Sequence, residues 1–318
     1  MKTSTVVGIV LAVLLAFASL SATAGYLWAR ADSDRPAPQR ALPAQWPSKD
    51  GEALRPVPMP GGELVTALPT DTGGQVLCQA LDQERWESLL GGKVLREVRD
   101  GACHVVGTTA EVLLTLDSRA ANLQDPSDVE VAGHPGQLEY LPPEVNARLD
   151  VRLVDAEGTG QVHPYLRVEL SGNAGVDTLT ESVAREVVQA VSAPGPALPA
   201  QAKDGTIPLQ HPAPAAIVDA PWPMISWQLC AALTRELGGT GKPRFDGSCT
   251  VRGVEATYTD IVTPRAFPER IAGRPALVTD ELVAVKLTDD GSQELTFTGP
   301  GRSLRSVAEA VLPRLLDR

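Results

Sequence analysis

Aromatic residues and positive charge are both scarce in this chain of 318 residues. Phe, Trp and Tyr together make up 4% of the sequence, so a core has to be built mainly from Leu, Val and Ala. Lys and Arg number 28 against 39 Asp and Glu, which gives a formal net charge of −11. A protein that neutralises phosphates needs a basic surface, so this balance argues against a nucleic-acid partner and against electrostatic docking on anionic lipid.

Sequence signatures of common catalytic sites are also missing. The chain has no G-x-S-x-G nucleophile elbow, no H-E-x-x-H zinc helix and no C-x-x-C pair. A glycine run that ends in lysine, LGGTGKP at 237–243, looks like part of a phosphate-binding loop. It fails as one, because Glu236 stands where the first glycine is required and Pro243 replaces the Ser or Thr after the lysine. We therefore predict no bound nucleotide, no metal, no cofactor and no catalytic residue.

The longest uncharged run of the chain lies near its N-terminus. Residues 6–28, VVGIVLAVLLAFASLSATAGYLW, would form a helix of roughly 34 Å, enough to cross a hydrocarbon core of ~30 Å. They predict a transmembrane anchor, with residues 1–5 in the cytoplasm and the C-terminal domains outside it. The alternative is a signal peptide, because Ala22-Thr23-Ala24 has the form of a cleavage site. The predicted location is the cell membrane, single-pass, and secretion after cleavage following Ala24 is the alternative.

Two Pro-rich stretches, 29–63 and 193–216, lack apolar periodicity. The first is predicted to be an extended tether that lifts the folded part off the membrane. The second is predicted to be a linker, because the segments that follow the two stretches, 64–192 and 217–318, resemble each other.

Five sequence landmarks recur in the same order in these two segments. They are LCQAL and LCAAL, LLGGK and LGGTGK, GACHVVG and GSCTVRG, VAGHPG and IAGRPA, and a closing helical pattern, SVAREVVQAV and SVAEAVLPRL. Each segment has the pattern of a helix ended by glycines, several alternating strands and a final helix. We predict an α+β fold, with two tandem copies of an antiparallel sheet that has helices packed on one face, preceded by one transmembrane helix.

Each copy contains two cysteines at equivalent places, Cys78 and Cys103 in the first and Cys230 and Cys249 in the second. The four histidines do not recur between the copies, which disfavours a zinc site. One disulfide per copy, joining the first helix to the sheet, accounts for both the even count and the equivalent placement. Because disulfides persist in oxidising compartments, these bonds also place both copies outside the cytoplasm.

The same motifs resemble those of a family of actinobacterial cell-envelope domains of unknown function, many of which are lipoproteins. The resemblance rests on a helix with C-x-x-L, a second cysteine in the next strand, an [IV]-x-G-[RH]-P-A-like turn and a final helix, and it covers both copies. The chain departs from the family because it lacks a lipobox and a further cysteine pair near the final strand and helix. The resemblance implies an envelope location and brings no established activity.

Four residues are candidates for contact with a ligand or partner. His134 and Arg274 occupy the same place in the two copies, each directly before a proline in a predicted turn, and either could contact a ligand or simply form the turn. Trp222 and Trp227 stand where the linker enters the second copy. They would either hold the linker on the domain or anchor a partner.

These observations favour a non-catalytic, membrane-anchored binding or scaffolding protein of the cell envelope. Its duplicated domain would present two similar faces, or one groove, to an envelope protein, wall or lipid partner. One alternative is an envelope hydrolase or transferase with a site between the copies. A second is a sensor or accessory subunit of a membrane or secretion complex.

Overall fold

The computed structural model describes most of the chain beyond residue 41. The described ranges are 42–43, 45–124, 126–141, 146–156, 161–172, 175–211, 215–260, 265–288, 293–300 and 303–316. No helix within these ranges is long and apolar enough to cross a membrane. The predicted anchor at 6–28 lies outside them.

The first repeat consists of three helical segments, seven strands and a closing helix. The helical segments are the 3-10 helix η1 (Gly62–Ala67) and the helices α1 (Thr70–Gln79) and α2 (Gln83–Leu90), and the closing helix is α3 (Val176–Val191). The strands are β1 (Val94–Arg99), β2 (Ala102–Gly107), β3 (Ala110–Asp117), β4 (Ser127–Val131), β5 (His134–Leu141), β6 (Asn146–Arg152) and β7 (Tyr165–Gly172). They form an antiparallel sheet in the order β1-β2-β3-β7-β6-β5-β4.

The second repeat has the same plan with shorter elements. It begins with the 3-10 helix η2 (Ile217–Asp219) and helix α4 (Met224–Leu237), and it ends with helix α5 (Leu304–Leu316). Its strands are β8 (Lys242–Pro243), β9 (Ser248–Val251), β10 (Val254–Thr259), β11 (Glu269–Ile271), β12 (Arg274–Val278), β13 (Leu282–Lys286) and β14 (Glu294–Thr298). The sheet order β8-β9-β10-β14-β13-β12-β11 matches the first sheet strand for strand. The predicted α+β architecture with two tandem antiparallel sheets is therefore confirmed.

The strands form because apolar side chains alternate with polar ones along them. In β7, Leu166, Val168 and Leu170 are buried and the residues between them are half-buried, which is the pattern of a strand with one face against a core. Helices α1 and α3 pack against the first sheet, and α4 and α5 pack against the second. Buried side chains of both repeats belong to one continuous apolar cluster, and both repeats lie in one compact unit of the chain.

Helix α2 is found in the first repeat and has no counterpart among the described elements of the second. The Asp82 carboxylate caps it by accepting a hydrogen bond of 2.7 Å from the Arg85 backbone N–H. The glycines of LLGGK end this inserted helix, with Gly91 as its C-cap, and they do not end the first helix, which stops at Gln79. The prediction that both glycine runs end the first helix is therefore wrong for the first repeat. It is confirmed for the second, where Gly238 follows α4.

The two disulfides join equivalent elements of the two repeats, as predicted. Cys78 of α1 is bonded to Cys103 of β2, with a Cα–Cα distance of 5.1 Å. Cys230 of α4 is bonded to Cys249 of β9, with a Cα–Cα distance of 5.3 Å. Each bond ties the first long helix of a repeat to the second strand of its sheet.

The VAGHPG and IAGRPA landmarks are tight hairpin turns. Ala132 and Gly133 connect β4 to β5 with φ angles of 52° and 86°, and Ala272 and Gly273 connect β11 to β12 with φ angles of 49° and 78°. Two-residue turns in which both residues have positive φ match the right-handed twist of the flanking strands. The landmark recurs because both hairpins need this turn at the same place.

The described end of the predicted tether is docked on the first repeat. Residues 46–55, called the strap from here on, lie beside strand β1. Glu52 and Val98 exchange two backbone hydrogen bonds of 2.7 and 3.0 Å. The Trp46 indole N–H donates to the carbonyl oxygen of Arg96 at 3.0 Å. The strap therefore covers a sheet edge whose backbone groups would otherwise be unpaired.

The predicted linker also makes specific contacts. The Ala193 carbonyl oxygen accepts a hydrogen bond of 2.8 Å from the Gly62 N–H in the first repeat. The Ile207 N–H donates to the Pro243 carbonyl oxygen in the second repeat at 2.9 Å, and the Ile207 side chain is buried. The linker is thus attached to both repeats.

Candidate functional site

A cavity of about 290 Å³ lies between the two repeats. The first repeat contributes residues 67–72 together with Gln161 and His163. The second repeat contributes Trp222, Phe245, Asp246 and residues 258–260. Both repeats are therefore needed to enclose this space.

The first wall of the cavity is the start of helix α1. Pro69 precedes the helix, and its carbonyl oxygen accepts the Gly73 N–H at 2.7 Å. The N-cap has no side-chain hydrogen bond, and Asp71 supplies a negative charge in the first turn, where the positive end of the helix dipole favours one. The His163 N–H donates to the Thr66 carbonyl oxygen at 2.6 Å, which holds the segment around His163 against η1.

The second wall is aromatic. The rings of Trp222 and Tyr258 meet edge to face, with centroids 5.4 Å apart and an interplanar angle of 70°. Trp222 is 4% exposed, Tyr258 is 3% exposed and Phe245 is buried beside them. Gly247 allows this arrangement, because a Cβ at that position would lie 2.0 Å from the Trp222 ring.

Three carboxylates line the cavity, and two of them are held in place. Asp246 accepts hydrogen bonds from the Ser248 N–H at 3.0 Å and from the Ser248 hydroxyl at 2.6 Å. Asp260 forms an ion pair with Arg55 of the strap, and the same guanidinium donates to the Asp260 carbonyl oxygen at 2.6 Å. Asp71 has no ion-pair partner among the residues that the structure describes. Three negative charges against one positive charge leave the lining acidic.

Two titratable groups of the lining are held in their neutral forms. Burial lowers the pKa of His163, against a smaller opposing effect of the Asp117 carboxylate, so the imidazole is uncharged at neutral pH. Burial and the neighbouring Asp260 carboxylate raise the pKa of Tyr258, so the phenol stays protonated. The Tyr258 hydroxyl has no hydrogen-bond partner within the described part of the chain.

The arrangement combines apolar surface, negative charge and neutral polar groups in a space of small-molecule size. Such a mixture is typical of ligand pockets, in which apolar walls bury the ligand and a few polar groups fix its orientation. Across the described ranges, no group of three or more His, Cys, Asp or Glu side chains is placed to share a metal ion.

The four contact residues predicted from the sequence lie in three different places. Trp222 forms part of the cavity wall. Trp227 is 2% exposed, and its indole N–H donates to the Pro208 carbonyl oxygen at 3.1 Å, so it holds the linker. His134 and Arg274 begin strands β5 and β12, and neither is among the residues that line the cavity.

The other residues that line the cavity were not predicted from the sequence. Asp71, His163 and Asp260 come from segments that are far apart in the chain, so no spacing links them. A weak signal existed in TYTD at 257–260, where an aromatic residue and a carboxylate end a strand. The equivalent strand of the first repeat ends in LLTLD, and this difference in aromatic content between the copies could have marked the position.

Comparison of the chain with protein-family models, with curated proteins and with solved structures gave no significant match. The chemistry of a ligand for the cavity is therefore inferred from the side chains that line it.

The neutral state of His163 predicts a loss of stability in mild acid. An unfolded chain takes up a proton on this residue below about pH 6.5, whereas the folded chain does so only at lower pH. The free energy of unfolding then falls as the pH is lowered, by at most about 1.4 kcal/mol per pH unit for one proton. His104, whose pKa is lowered by burial and by Arg99, adds to the same trend.

We expect a His163→Gln variant to show a shallower decline between pH 7 and pH 5 than the unchanged chain. Urea unfolding at a series of pH values, followed by circular dichroism, measures the slope. His211→Gln is the matched control, because His211 is exposed. An unchanged slope in His163→Gln would show that this imidazole is not held neutral.

Proposed function

We propose that the protein is a non-catalytic, membrane-anchored binding protein of the cell envelope, and that its two repeats form one ligand site in the cavity between them. The proposal rests on the residues that line that cavity. One repeat supplies a helix start with a carboxylate, and the other supplies buried aromatic rings and two further carboxylates. A duplicated domain used in this way gains a composite site that a single copy lacks.

Three features support the envelope location. The apolar run at 6–28 has the length of a membrane span. Two disulfides suit an oxidising compartment. The motifs resemble those of envelope domains, many of which are anchored to a membrane.

An envelope hydrolase or transferase is the second candidate, and His163 is the observation that favours it. A neutral imidazole in a cavity is able to accept a proton from a substrate or a water molecule. The same cavity would then be an active site, so one experiment has to separate binding from turnover.

The experiment uses two substitutions in one strand. Thr259 lines the cavity, and Thr257 lies two residues earlier on the same face of β10 with similar, half-buried exposure. Phenylalanine is well accepted in strands, so both Thr259→Phe and Thr257→Phe should fold, but only the first should fill the cavity. The immobilised full chain is incubated with a small-molecule extract of the source cell envelope, and bound and free compounds are identified by mass spectrometry.

We expect the unchanged chain and Thr257→Phe to retain the same compound unaltered, and Thr259→Phe to retain at least roughly tenfold less of it. Equal retention by all three proteins, or retention by none, would show that the cavity is not the binding site. Conversion of a compound in more than one turnover per chain, abolished in His163→Gln, would establish the enzyme instead.

A further inference from the structure

We infer that the ligand of this cavity is a small organic amine, with an ammonium group joined to a compact apolar body. This inference rests on the proposed function, because it names the chemical class that the proposed site would take. It depends on three features of the lining, namely its net charge, an unpaired tyrosine hydroxyl that faces the cavity, and its aromatic wall.

The charge of the lining favours a cation. None of the described residues that line the cavity is a lysine or arginine, and Arg55 of the strap, which reaches its edge, is already paired with Asp260. The positive end of helix α1 is already faced by Asp71 in its own first turn. Asp71 and Asp246 therefore leave about two negative charges for a ligand to compensate. Asp71 is half-buried and Asp246 is exposed, so neither carboxylate requires a counter-ion, but together they attract an ammonium group and repel an anion at this opening.

The Tyr258 hydroxyl provides the second, independent indication of a ligand. It belongs to a residue that is 3% exposed, it lines the cavity, and it has no hydrogen-bond partner among the described residues. The hydroxyl oxygen is not one of the fully buried polar atoms that lack a partner, so it is open to the cavity, where a ligand is able to form a hydrogen bond with it. An ammonium group carries three donors, which suit the carboxylates of Asp71 and Asp246 and the phenol oxygen of Tyr258.

The aromatic wall and the size of the cavity restrict the rest of the ligand. The Trp222 and Tyr258 rings favour an apolar body and attract a cation placed over a ring face. A volume of about 290 Å³ admits a compact molecule and excludes a folded partner. A free small amine therefore fits better than a protein surface.

The test compares cyclohexylamine with cyclohexanol, which have the same ring and differ in the charged group. Titration calorimetry is carried out at pH 7.5 on the full chain, kept in solution with a mild detergent. We expect cyclohexylamine to bind at least roughly tenfold more tightly than cyclohexanol. Asp71→Asn and Tyr258→Phe should each weaken cyclohexylamine binding severalfold. Asp177→Asn should not, because Asp177 is an exposed carboxylate in the first turn of α3 and matches Asp71 only in its helix position.

Equal binding of the alcohol and the amine, or no binding of either, would overturn the inference. Unchanged affinity in Asp71→Asn would overturn it as well, and this variant decides the matter if Tyr258→Phe fails to fold. These outcomes leave the proposed function separately testable, because retention of a non-amine compound that is lost in Thr259→Phe would preserve the binding site and refute only the amine.

Discussion

Replacing Trp227 with alanine is expected to lower the free energy of unfolding by about 3–5 kcal/mol, the range found when a large buried aromatic side chain is truncated. The side chain is 2% exposed and belongs to a small apolar cluster separate from the main core. That cluster draws on the first repeat, the linker and the second repeat, through Ala67, Val162, Ile207 and Phe245. Truncation therefore loosens the connection among all three parts at once.

Urea unfolding followed by far-ultraviolet circular dichroism measures this loss without relying on tryptophan emission. Trp227→Phe is the matched control, because it keeps an aromatic ring and removes the hydrogen bond to the Pro208 carbonyl oxygen. It should cost less than the alanine variant. A loss below roughly 1 kcal/mol in Trp227→Ala would contradict the role of this cluster, since surface substitutions commonly fall within ±0.5 kcal/mol.

Removing either disulfide should cost about 3 kcal/mol. The bonded cysteines are 25 residues apart in the first repeat and 19 apart in the second, and the stabilisation of the folded state depends only on the logarithm of that separation. The variants Cys78→Ala/Cys103→Ala and Cys230→Ala/Cys249→Ala should therefore lose similar amounts. Removing both bonds would cost about 6 kcal/mol, which is much of the 5–15 kcal/mol that stabilises a typical domain.

The measurement is urea unfolding, with and without reductant, of the unchanged chain, of the two double variants and of the quadruple variant that lacks both bonds. Reductant should lower the stability of the unchanged chain and leave a variant lacking both bonds unaffected. Equal stability of oxidised and reduced chains would contradict the prediction. Peptide mapping without reduction should recover only the two pairs within repeats, and a pair between Cys78 and Cys230 would contradict the fold itself.

The parts of the fold that could be predicted are those that local sequence patterns determine. The alternation in YLRVELSG at 165–172 predicts a strand with one buried face, and that strand is β7. The cysteine pairs could be assigned because two copies of one domain place them alike. Helix α2 was not predicted, because LLGGK resembles LGGTGK and the two runs look equivalent. That apparent equivalence conceals the additional helix that precedes the glycines of LLGGK.

Long-range contacts of irregular segments could not be predicted. The strap and the linker have Pro-rich compositions without periodicity, so nothing in their patterns indicates what they pack against. Their positions depend on contacts between residues that are far apart in the chain, such as Arg55 with Asp260 and Trp227 with Pro208. The candidate site has the same character, because its walls meet only after both repeats have folded and packed together.

The close contact between Gly247 and Trp222, which forms a corner of the second repeat, has a counterpart in the first repeat. Gly101 and Gly247 each stand two residues before the second cysteine of their repeat, and Thr70 and Trp222 each stand eight residues before the first. A Cβ on Gly101 would lie 2.2 Å from Thr70 Cγ2, just as one on Gly247 would collide with the Trp222 ring.

The corner itself does not require an aromatic residue. In both repeats a glycine before the second cysteine leaves space for the side chain that stands eight residues before the first cysteine, and this side chain is threonine in one repeat and tryptophan in the other. One position in a shared packing arrangement therefore decides whether a repeat presents an aromatic ring at this corner, so the two copies differ in what they contact while keeping the same fold and the same disulfide.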